Sequence, residues 1–163
     1  MLGETRILDV GEADRWREAG ELIFEYIAAT EAELGHPVPA HHADLPSSLA
    51  AECDNARSAY PPPGTVLIAD RVGQAIGCVA LQYKGSATAE VKRLYVRPAH
   101  RGGVGRALML RLHEYAARHR LNLQLDVLAT RRTVIGLYRD LGYRIIEPAQ
   151  PSATPLVVME CRL

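Results

Sequence analysis

The sequence is poor in cysteine, has no surplus of either charge and contains no long apolar run. Its three cysteines, Cys53, Cys78 and Cys161, are far apart and form no CxxC pair, which argues against a disulfide framework or a zinc site and favours the cytoplasm. No run approaches the ~18 apolar residues of a membrane span. The segment Met1–Arg6 lacks the basic and then apolar pattern of a signal peptide. We therefore expect a cytoplasmic protein that is not inserted in a membrane and holds no metal.

The net charge of zero hides an uneven distribution of charge along the chain. Residues 1–83 carry 5 Lys/Arg and 13 Asp/Glu, a net charge of −8, whereas residues 84–144 carry 13 and 4, a net charge of +9. This asymmetry predicts that the basic segment meets an anion. Nucleic acid is a poor candidate for that anion, because no single run is densely basic.

The length of 163 residues suits one domain, residues 1–163, with a sizeable core. Apolar residues at steps of three and four predict four helices, and β-rich runs between turn signals predict seven strands. The predicted helices are Ala13–Leu34, about Leu49–Ala59, Gly103–Arg120 and Arg132–Leu141. The predicted strands are Thr5–Val10, Thr65–Ala69, Ala75–Tyr83, Ala87–Val96, Leu121–Leu128, Tyr143–Glu147 and Leu156–Cys161. Hairpins with one β-α-β crossover predict an α/β (α+β) fold, a mixed sheet with helices on both faces.

The strongest local signal is a glycine-rich turn, Arg101–Arg106, between a predicted strand and a predicted helix. Glycines let the backbone approach a ligand, the helix N-terminus presents free N–H groups, and two arginines add charge, so the turn favours a phosphate. The turn lacks the Gly-Lys-Ser/Thr sequence that a P-loop requires. It also lacks the third glycine of the dinucleotide-binding fingerprint. The second absence argues against a dinucleotide-dependent reductase.

Two segments, Glu90–Leu108 and Leu137–Tyr143, resemble the GCN5-related N-acetyltransferases (GNAT). They match the family's V-x-P-x-x-R-G…G-x-G-x-x-L loop and its L-Y-x-x-x-G-[FY] helix end. The resemblance implies a mixed, mostly antiparallel seven-stranded sheet with a splay between strands 4 and 5. It also implies an enzyme, an acyltransferase that moves an acetyl group from acetyl-CoA to an amine. Acetyl-CoA would be the cosubstrate, no metal would take part, and the amine would attack directly in a ternary complex.

The resemblance also implies roles for individual residues. The pyrophosphate of acetyl-CoA would lie against the loop residues Arg101, Gly102, Gly103, Val104, Gly105 and Arg106. Its pantetheine and thioester would meet the backbone of Leu94, Tyr95 and Val96. Tyr138 would protonate or hydrogen-bond the departing thiolate, and Glu90 would act as base, directly or through water. From the residues alone, Tyr138 reads as a core tyrosine, and Glu90 as a partner of Lys92 or Arg93.

The acceptor is expected to be a small-molecule or peptide amine, and its identity is open, as is homodimer formation. We expect the acidic residues 1–83 to form the acceptor side of the cleft and to favour a cationic acceptor, a primary amine without a nearby carboxylate, over a free acidic amino acid. The alternative is that these carboxylates are solvated on the outer face of the first helix.

Some assignments stay open at the level of sequence. His100 stands where the family loop usually has its first arginine or glutamine, so either His100 or Arg101 fills that position. Arg131 stands where the family often has asparagine, and it either contacts the phosphates or faces solvent. A non-catalytic module that binds or senses acyl-CoA is the alternative function.

Overall fold

The protein, described by a computed structural model over residues 3–163, is built on one β-sheet. Its strands are β1 (Thr5–Asp9), β2 (Thr65–Arg71), β3 (Gln74–Gly85), β4 (Thr88–Val96), β5 (Asn122–Leu128), β6 (Arg144–Glu147) and β7 (Leu156–Cys161). Its helices are α1 (Val10–Ala13), α2 (Trp16–Glu33), α3 (Ser47–Asp54), α4 (Ala56–Ala59), α5 (Val104–Arg118) and α6 (Arg132–Asp140). The first two residues of the segment without signal-peptide character, Met1 and Leu2, lie outside the described range.

The seven strands are ordered β1-β2-β3-β4-β5-β7-β6. Every neighbouring pair is antiparallel except β4 and β5, which run parallel. That parallel pairing ends at Glu90, opposite Gln124, although both strands continue beyond it. The predicted mixed, mostly antiparallel sheet is therefore confirmed, and so is the splay between strands 4 and 5.

Alternation of side chains along the strands gives the sheet two buried faces. On one face α5 packs with Leu108, Leu112 and Ala116 against strand residues that include Leu81, Leu123 and Leu125, and α6 adds Ile135. On the other face α2 packs with Leu22 and Ile23 against Val66, Ile68 and Ala80. Each fully buried Leu or Ile contributes about 1.5–3 kcal/mol to the free energy of unfolding. The helices thus lie on both faces, as predicted.

The predicted helix Ala13–Leu34 is wrong at its start. Asp14 adopts a left-handed conformation with φ 52°, which an α-helix of L-residues does not tolerate in its interior. The chain therefore forms the short α1 before it and the long α2 after it. Asp9 caps α1, because its carboxylate accepts hydrogen bonds from two N–H groups of the first turn, at 2.9 and 3.3 Å.

The predicted helix at Leu49–Ala59 is also divided in two. The break falls at Asn55, whose side chain accepts a hydrogen bond from the Ser58 N–H at 3.2 Å and so caps α4. The preceding helix, α3, lies very close to α2 at Gly20, where a Cβ would be 2.1 Å from the carbonyl oxygen of Cys53. That close approach holds Glu52, the neighbour of Cys53, against the sheet.

Within residues 3–163, no group of three or more His, Cys, Asp or Glu side chains is arranged to hold a metal ion. The thiols of Cys53, Cys78 and Cys161 are all buried and unpaired with one another. None of the helices in this range has the length and hydrophobicity that crossing a bilayer requires.

Candidate active site

A cleft of about 760 Å³ opens where β4 and β5 separate. Its walls come from α2, the second half of β4, the glycine-rich turn, the end of β5 and the first two turns of α6. All of the predicted site residues line it except Glu90 and Val104. The cleft lies at the carboxyl end of the parallel strand pair, where α/β sheets commonly bind ligands.

A bulge in β4 shapes one wall of the cleft. Arg93 has a φ of +58°, and the register against β3 shifts at this point. The shift lets Leu94 and Val96 pack towards α5, while Tyr95 packs towards α2. Bulges re-aim side chains in this way and often lie beside binding sites.

The edge of β4 that faces the cleft has free backbone groups. Beyond Glu90, β4 has no pairing with β5 in the described part of the chain. The N–H and C=O groups of residues 91–96 on this edge therefore lack a strand partner, and an extended ligand can add to them as a further strand would.

The glycine-rich turn leads directly into the first turn of α5. Gly102 and Gly103 have φ values of 113° and 95°, which a residue with a Cβ rarely adopts. The first backbone hydrogen bond of α5 is donated by the Ala107 N–H to the Gly103 carbonyl at 3.0 Å. The N–H groups before it point out of the helix end and favour an anion. Val104 is only 4% exposed, so it offers this site its backbone and not its side chain.

The structure separates the two candidates for the first loop position. Arg101 lines the cleft, and its Nε donates to the Val96 carbonyl at 3.4 Å. His100 is not part of the cleft wall, and its Nδ1 lies 3.4 Å from a guanidinium nitrogen of Arg71 on β2. Arg101 therefore supplies charge at this end of the cleft together with Arg106.

Tyr138 combines a buried ring with a hydroxyl that is open to the cleft. The residue is 6% exposed, packs in the core and lines the cleft. Among the described residues its hydroxyl has no hydrogen-bond partner, and it is not an enclosed unsatisfied atom either. Burial raises the pKa of Tyr138, and Tyr26 raises it further. The hydroxyl therefore keeps its proton at neutral pH and is able to donate it into the cleft.

Glu90, the predicted base, does not line the cleft. It pairs with Gln82 and Gln124 across the sheet, and its carboxylate lies 3.5 Å from Lys84 Nζ. The strand pairing still closes the sheet at this level, so Glu90 remains behind the point where the cleft opens. Asp126 on β5, two residues beyond Gln124, does line the cleft and makes no ion pair within residues 3–163.

A buried ion pair stands behind the β4 wall. Arg93 donates to both oxygens of Glu52, from Nε at 2.9 Å and from Nη2 at 2.8 Å, and Tyr60 donates its hydroxyl to the same carboxylate. Burial by itself raises the pKa of Glu52, but the hydrogen bonds from Arg93 and Tyr60 and the charges of Arg93 and Lys92 outweigh it and lower that pKa. The carboxylate is thus ionised and fully engaged.

Arg131, whose role was open, joins α6 to α2 across the cleft. Its guanidinium donates to Glu33 at 2.9 Å, to the Thr30 hydroxyl at 2.8 Å and to the Tyr26 hydroxyl at 3.0 Å. The Tyr26 ring lies between two guanidinium groups, with Arg131 Cζ 5.4 Å and Arg93 Cζ 5.6 Å from its centroid, within the range of a cation–π contact.

The acidic and basic segments of the sequence are partly paired with each other in the fold. Carboxylates of the acidic segment pair with arginines of the basic segment at three places, Glu25 with Arg97, Glu33 with Arg131 and Glu52 with Arg93. These three carboxylates are therefore balanced by arginines rather than left as free negative charge.

The cleft residues that sequence reasoning missed include Tyr26, Lys92, Arg93 and Asp126. Tyr26 and Arg93 were hidden by the bulge and by the packing of α2 on the sheet, which no local pattern reveals. Asp126 occupies a polar position of an alternating strand, as Asn122 and Gln124 do, so no local signal set it apart.

The comparisons with known proteins agree with this geometry. The family model described as an acetyltransferase (GNAT) domain matches residues 62–145, just over half of the chain. An N-acetyltransferase of Schizosaccharomyces pombe, described as uncharacterized, is 37% identical over 102 residues, which cover 60% of this chain and 63% of that relative. The match thus spans less than two thirds of the relative's length.

Two solved structures share the fold. The GCN5-related N-acetyltransferase of Kribbella flavida superposes with a TM-score of 0.70 at 23% identity, over 98% of both chains. A GNAT acetyltransferase of Elizabethkingia anophelis, solved with acetyl-CoA bound, gives a TM-score of 0.56 at 20% identity over 66% of this chain and 82% of its own. With the splayed strands, the glycine-rich turn and the family match together, the chain belongs to the GNAT acetyltransferase family.

Proposed function

We propose that the protein is an N-acetyltransferase that moves the acetyl group of acetyl-CoA to an amine in a ternary complex. One observation carries the proposal: the unpaired edge of β4 leads through the glycine-rich turn to the N-terminus of α5, whose free N–H groups suit an anion. An extended chain that ends in a pyrophosphate fits such an edge. CoA is a molecule of this kind, and the Elizabethkingia anophelis neighbour has acetyl-CoA bound.

The residues of the cleft fit acetyl-CoA from end to end. The free N–H groups at the start of α5, with Arg101 and Arg106, suit the pyrophosphate. The backbone groups of Leu94 and Val96 suit the pantetheine amides. The thioester then falls near the bulge, where Tyr138 opens into the same cleft.

We infer the following course for the reaction. The amine nitrogen attacks the acetyl carbon, which forms the C–N bond as the C–S bond breaks. Backbone N–H groups of β4 stabilise the negative charge on the carbonyl oxygen. The ammonium proton passes to Asp126, directly or through water, and Tyr138 donates its proton to the departing sulfur. Because both reactants occupy one cleft, proximity lowers the barrier.

Asp126 takes the role for which Glu90 was expected. It is a carboxylate of the cleft wall that makes no ion pair among the described residues, whereas Glu90 is paired with Lys84 outside that wall. A base must reach the proton that it removes, and the cleft carboxylate meets that condition better.

The test measures acetyl-CoA binding and turnover with wild-type protein and with Tyr138→Phe. The exchange removes one hydroxyl and keeps the ring in the core, so we expect an unchanged Kd for CoA and a kcat lowered about 10²- to 10⁴-fold. Tyr115→Phe is the matched control, because the Tyr115 hydroxyl donates to the Pro63 carbonyl away from the cleft. Equal kcat values for Tyr138→Phe and wild type would refute the acid role. Binding of acetyl-CoA without transfer to any amine would instead favour a sensing module.

A further inference from the structure

The acceptor side of the cleft holds a cation, Lys92, that lies away from the phosphate end and makes no ion pair in the described part of the chain. Lys92 lines both the cleft and a second cavity of about 420 Å³. Lys92 comes before the bulge in β4, whereas the turn proposed to bind the phosphates comes after the end of β4. About four strand residues, or roughly 13 Å at 3.3 Å each, therefore separate Lys92 from Val96 and the turn beyond it.

The carboxylates near Lys92 are already engaged by other cations. Glu52 receives both of its Arg93 hydrogen bonds and that of Tyr60, and the charge of Lys92 acts on it only as an additional cation. Glu90, on the same face two residues earlier, has Lys84 as its partner at 3.5 Å. Glu52 and Glu90 are thus already paired with Arg93 and Lys84, and Lys92 forms no ion pair within residues 3–163.

The guanidinium next to Lys92 also has hydrogen-bonding capacity left. Arg93 uses Nε and Nη2 for Glu52, while its Nη1 donates to no acceptor in the described part of the chain. Its side chain remains 16% exposed and lines the cleft. Lys92 and Arg93 are adjacent because the bulge turns both of them to the acceptor side.

The opposite charge lies across the opening. Extension of the β4–β5 register beyond Glu90 and Gln124 puts Asp126 level with Lys92, on the same face of the sheet by alternation. A carboxylate and an ammonium group therefore flank the place where the acceptor must lie. This pattern is complementary to a molecule that carries an amine and a carboxylate close together.

We propose that the acceptor is an amine that bears a carboxylate, of the amino-acid type, with its carboxylate held by Lys92 and Arg93 and its amine directed to Asp126. This inference rests on the proposed acetyl transfer and names its substrate class. It reverses the expectation, drawn from the acidic N-terminal segment, of a cationic acceptor without a nearby carboxylate.

The test compares acetylation of the twenty standard L-amino acids with that of their carboxamides, and detects the acetylated products by mass spectrometry. We expect kcat/KM to be higher for the carboxylate than for the matching carboxamide. Lys92→Gln should lower that ratio about ten- to a hundredfold, the value of one charged hydrogen bond, and Lys92→Arg should preserve most of it. The ratio is insensitive to a general loss of folded protein. Lys84→Gln is the control, since Lys84 is exposed and outside the cleft, and it should leave the ratio unchanged.

A binding measurement keeps the two proposals separable. Lys84 and Lys92 are the two lysines of the sequence, so reductive ¹³C-methylation gives two lysine NMR signals, which the Lys92→Gln variant assigns. In the CoA complex, the L-amino acids should shift the Lys92 signal and leave that of Lys84 in place. A Lys92 signal unmoved by every amino acid, or equal rates for carboxylates and carboxamides, would overturn the substrate class alone. Failure to bind CoA, with no product from any amine, would overturn the proposed function.

Discussion

The buried pair of Glu52 and Arg93 allows a quantitative prediction about stability. Glu52 is 9% exposed, and both of its oxygens are hydrogen-bonded. In Glu52→Gln the shape is kept, but the charge is lost and an amide NH₂ replaces one acceptor. The guanidinium of Arg93, 16% exposed at its side chain, is then left without its counter-charge. Breaking a buried pair in this way costs about 3–5 kcal/mol.

The assay is thermal and urea unfolding of Glu52→Gln beside wild type. For a chain of this size 1 kcal/mol corresponds to about 2–4 °C in Tm, so we expect Tm to fall by roughly 6–20 °C. The control is Glu21→Gln, because Glu21 pairs with Arg17 at an exposed site, where a salt bridge contributes about 0–1 kcal/mol. Replacing all three partners, as in the triple variant Glu52→Leu, Arg93→Met and Tyr60→Phe, should recover most of the loss, because neither an unpaired charge nor an unsatisfied Tyr60 hydroxyl remains.

The stability effect also has a defined dependence on pH. The pKa of Glu52 is lowered in the folded protein from its ordinary value of 4.5. Its contribution is therefore complete above that ordinary value and is lost as the pH falls through the folded pKa. The difference between wild type and Glu52→Gln should shrink below about pH 4.5. A free energy of unfolding for Glu52→Gln within about 0.5 kcal/mol of wild type at pH 7 would refute the argument.

Two further predictions concern the cleft. Arg101→Ala and Arg106→Ala should each raise the Kd for CoA about ten- to a hundredfold, because each removes about 1.5–3 kcal/mol of charged hydrogen bonding. Calorimetry measures these Kd values. An unchanged Kd for both variants would show that the arginines do not bind the phosphates. Asp126→Asn should lower kcat/KM for the acceptor about 10²- to 10⁴-fold, whereas Glu90→Gln should leave kcat/KM within about twofold of wild type. Steady-state kinetics measure both values. A larger loss in Glu90→Gln than in Asp126→Asn would restore Glu90 as the base.

The sequence predicted the parts of this protein that depend on local patterns. Seven strands, the helix after the glycine-rich turn and the helix that carries Tyr138 all follow from periodicity and turn residues. The errors lie at Asp14 and Asn55, where a single residue breaks a helix through a backbone conformation or a cap that the apolar stripe does not report. Such breaks depend on the conformation or cap of one residue, and apolar periodicity does not reveal them.

Only the CoA side of the candidate site could be predicted from the sequence. The loop and Tyr138 carry a sequence motif, and both line the cleft. The acceptor side is built from residues that come together across the fold, such as Tyr26 with Arg93 and Arg131. Net charge did not reveal that three carboxylates of the acidic segment pair with arginines of the basic segment.

The short junction between β4 and β5 has a mechanical consequence. Three residue pairs join the strands, so the two halves of the sheet are connected by one short pairing, the seam. The seam ends at Glu90 and Gln124. Leu94 lies about four residues, or roughly 13 Å, beyond that end. A rotation of about 5° at the seam would widen the gap at Leu94 by about 1 Å over that lever arm. The backbone pairing at Glu90 and Gln124 thus fixes where the opening begins without touching what lies inside it. Hydrogen exchange of the amides in these three pairs is therefore a sensitive measure of opening and closing of the cleft.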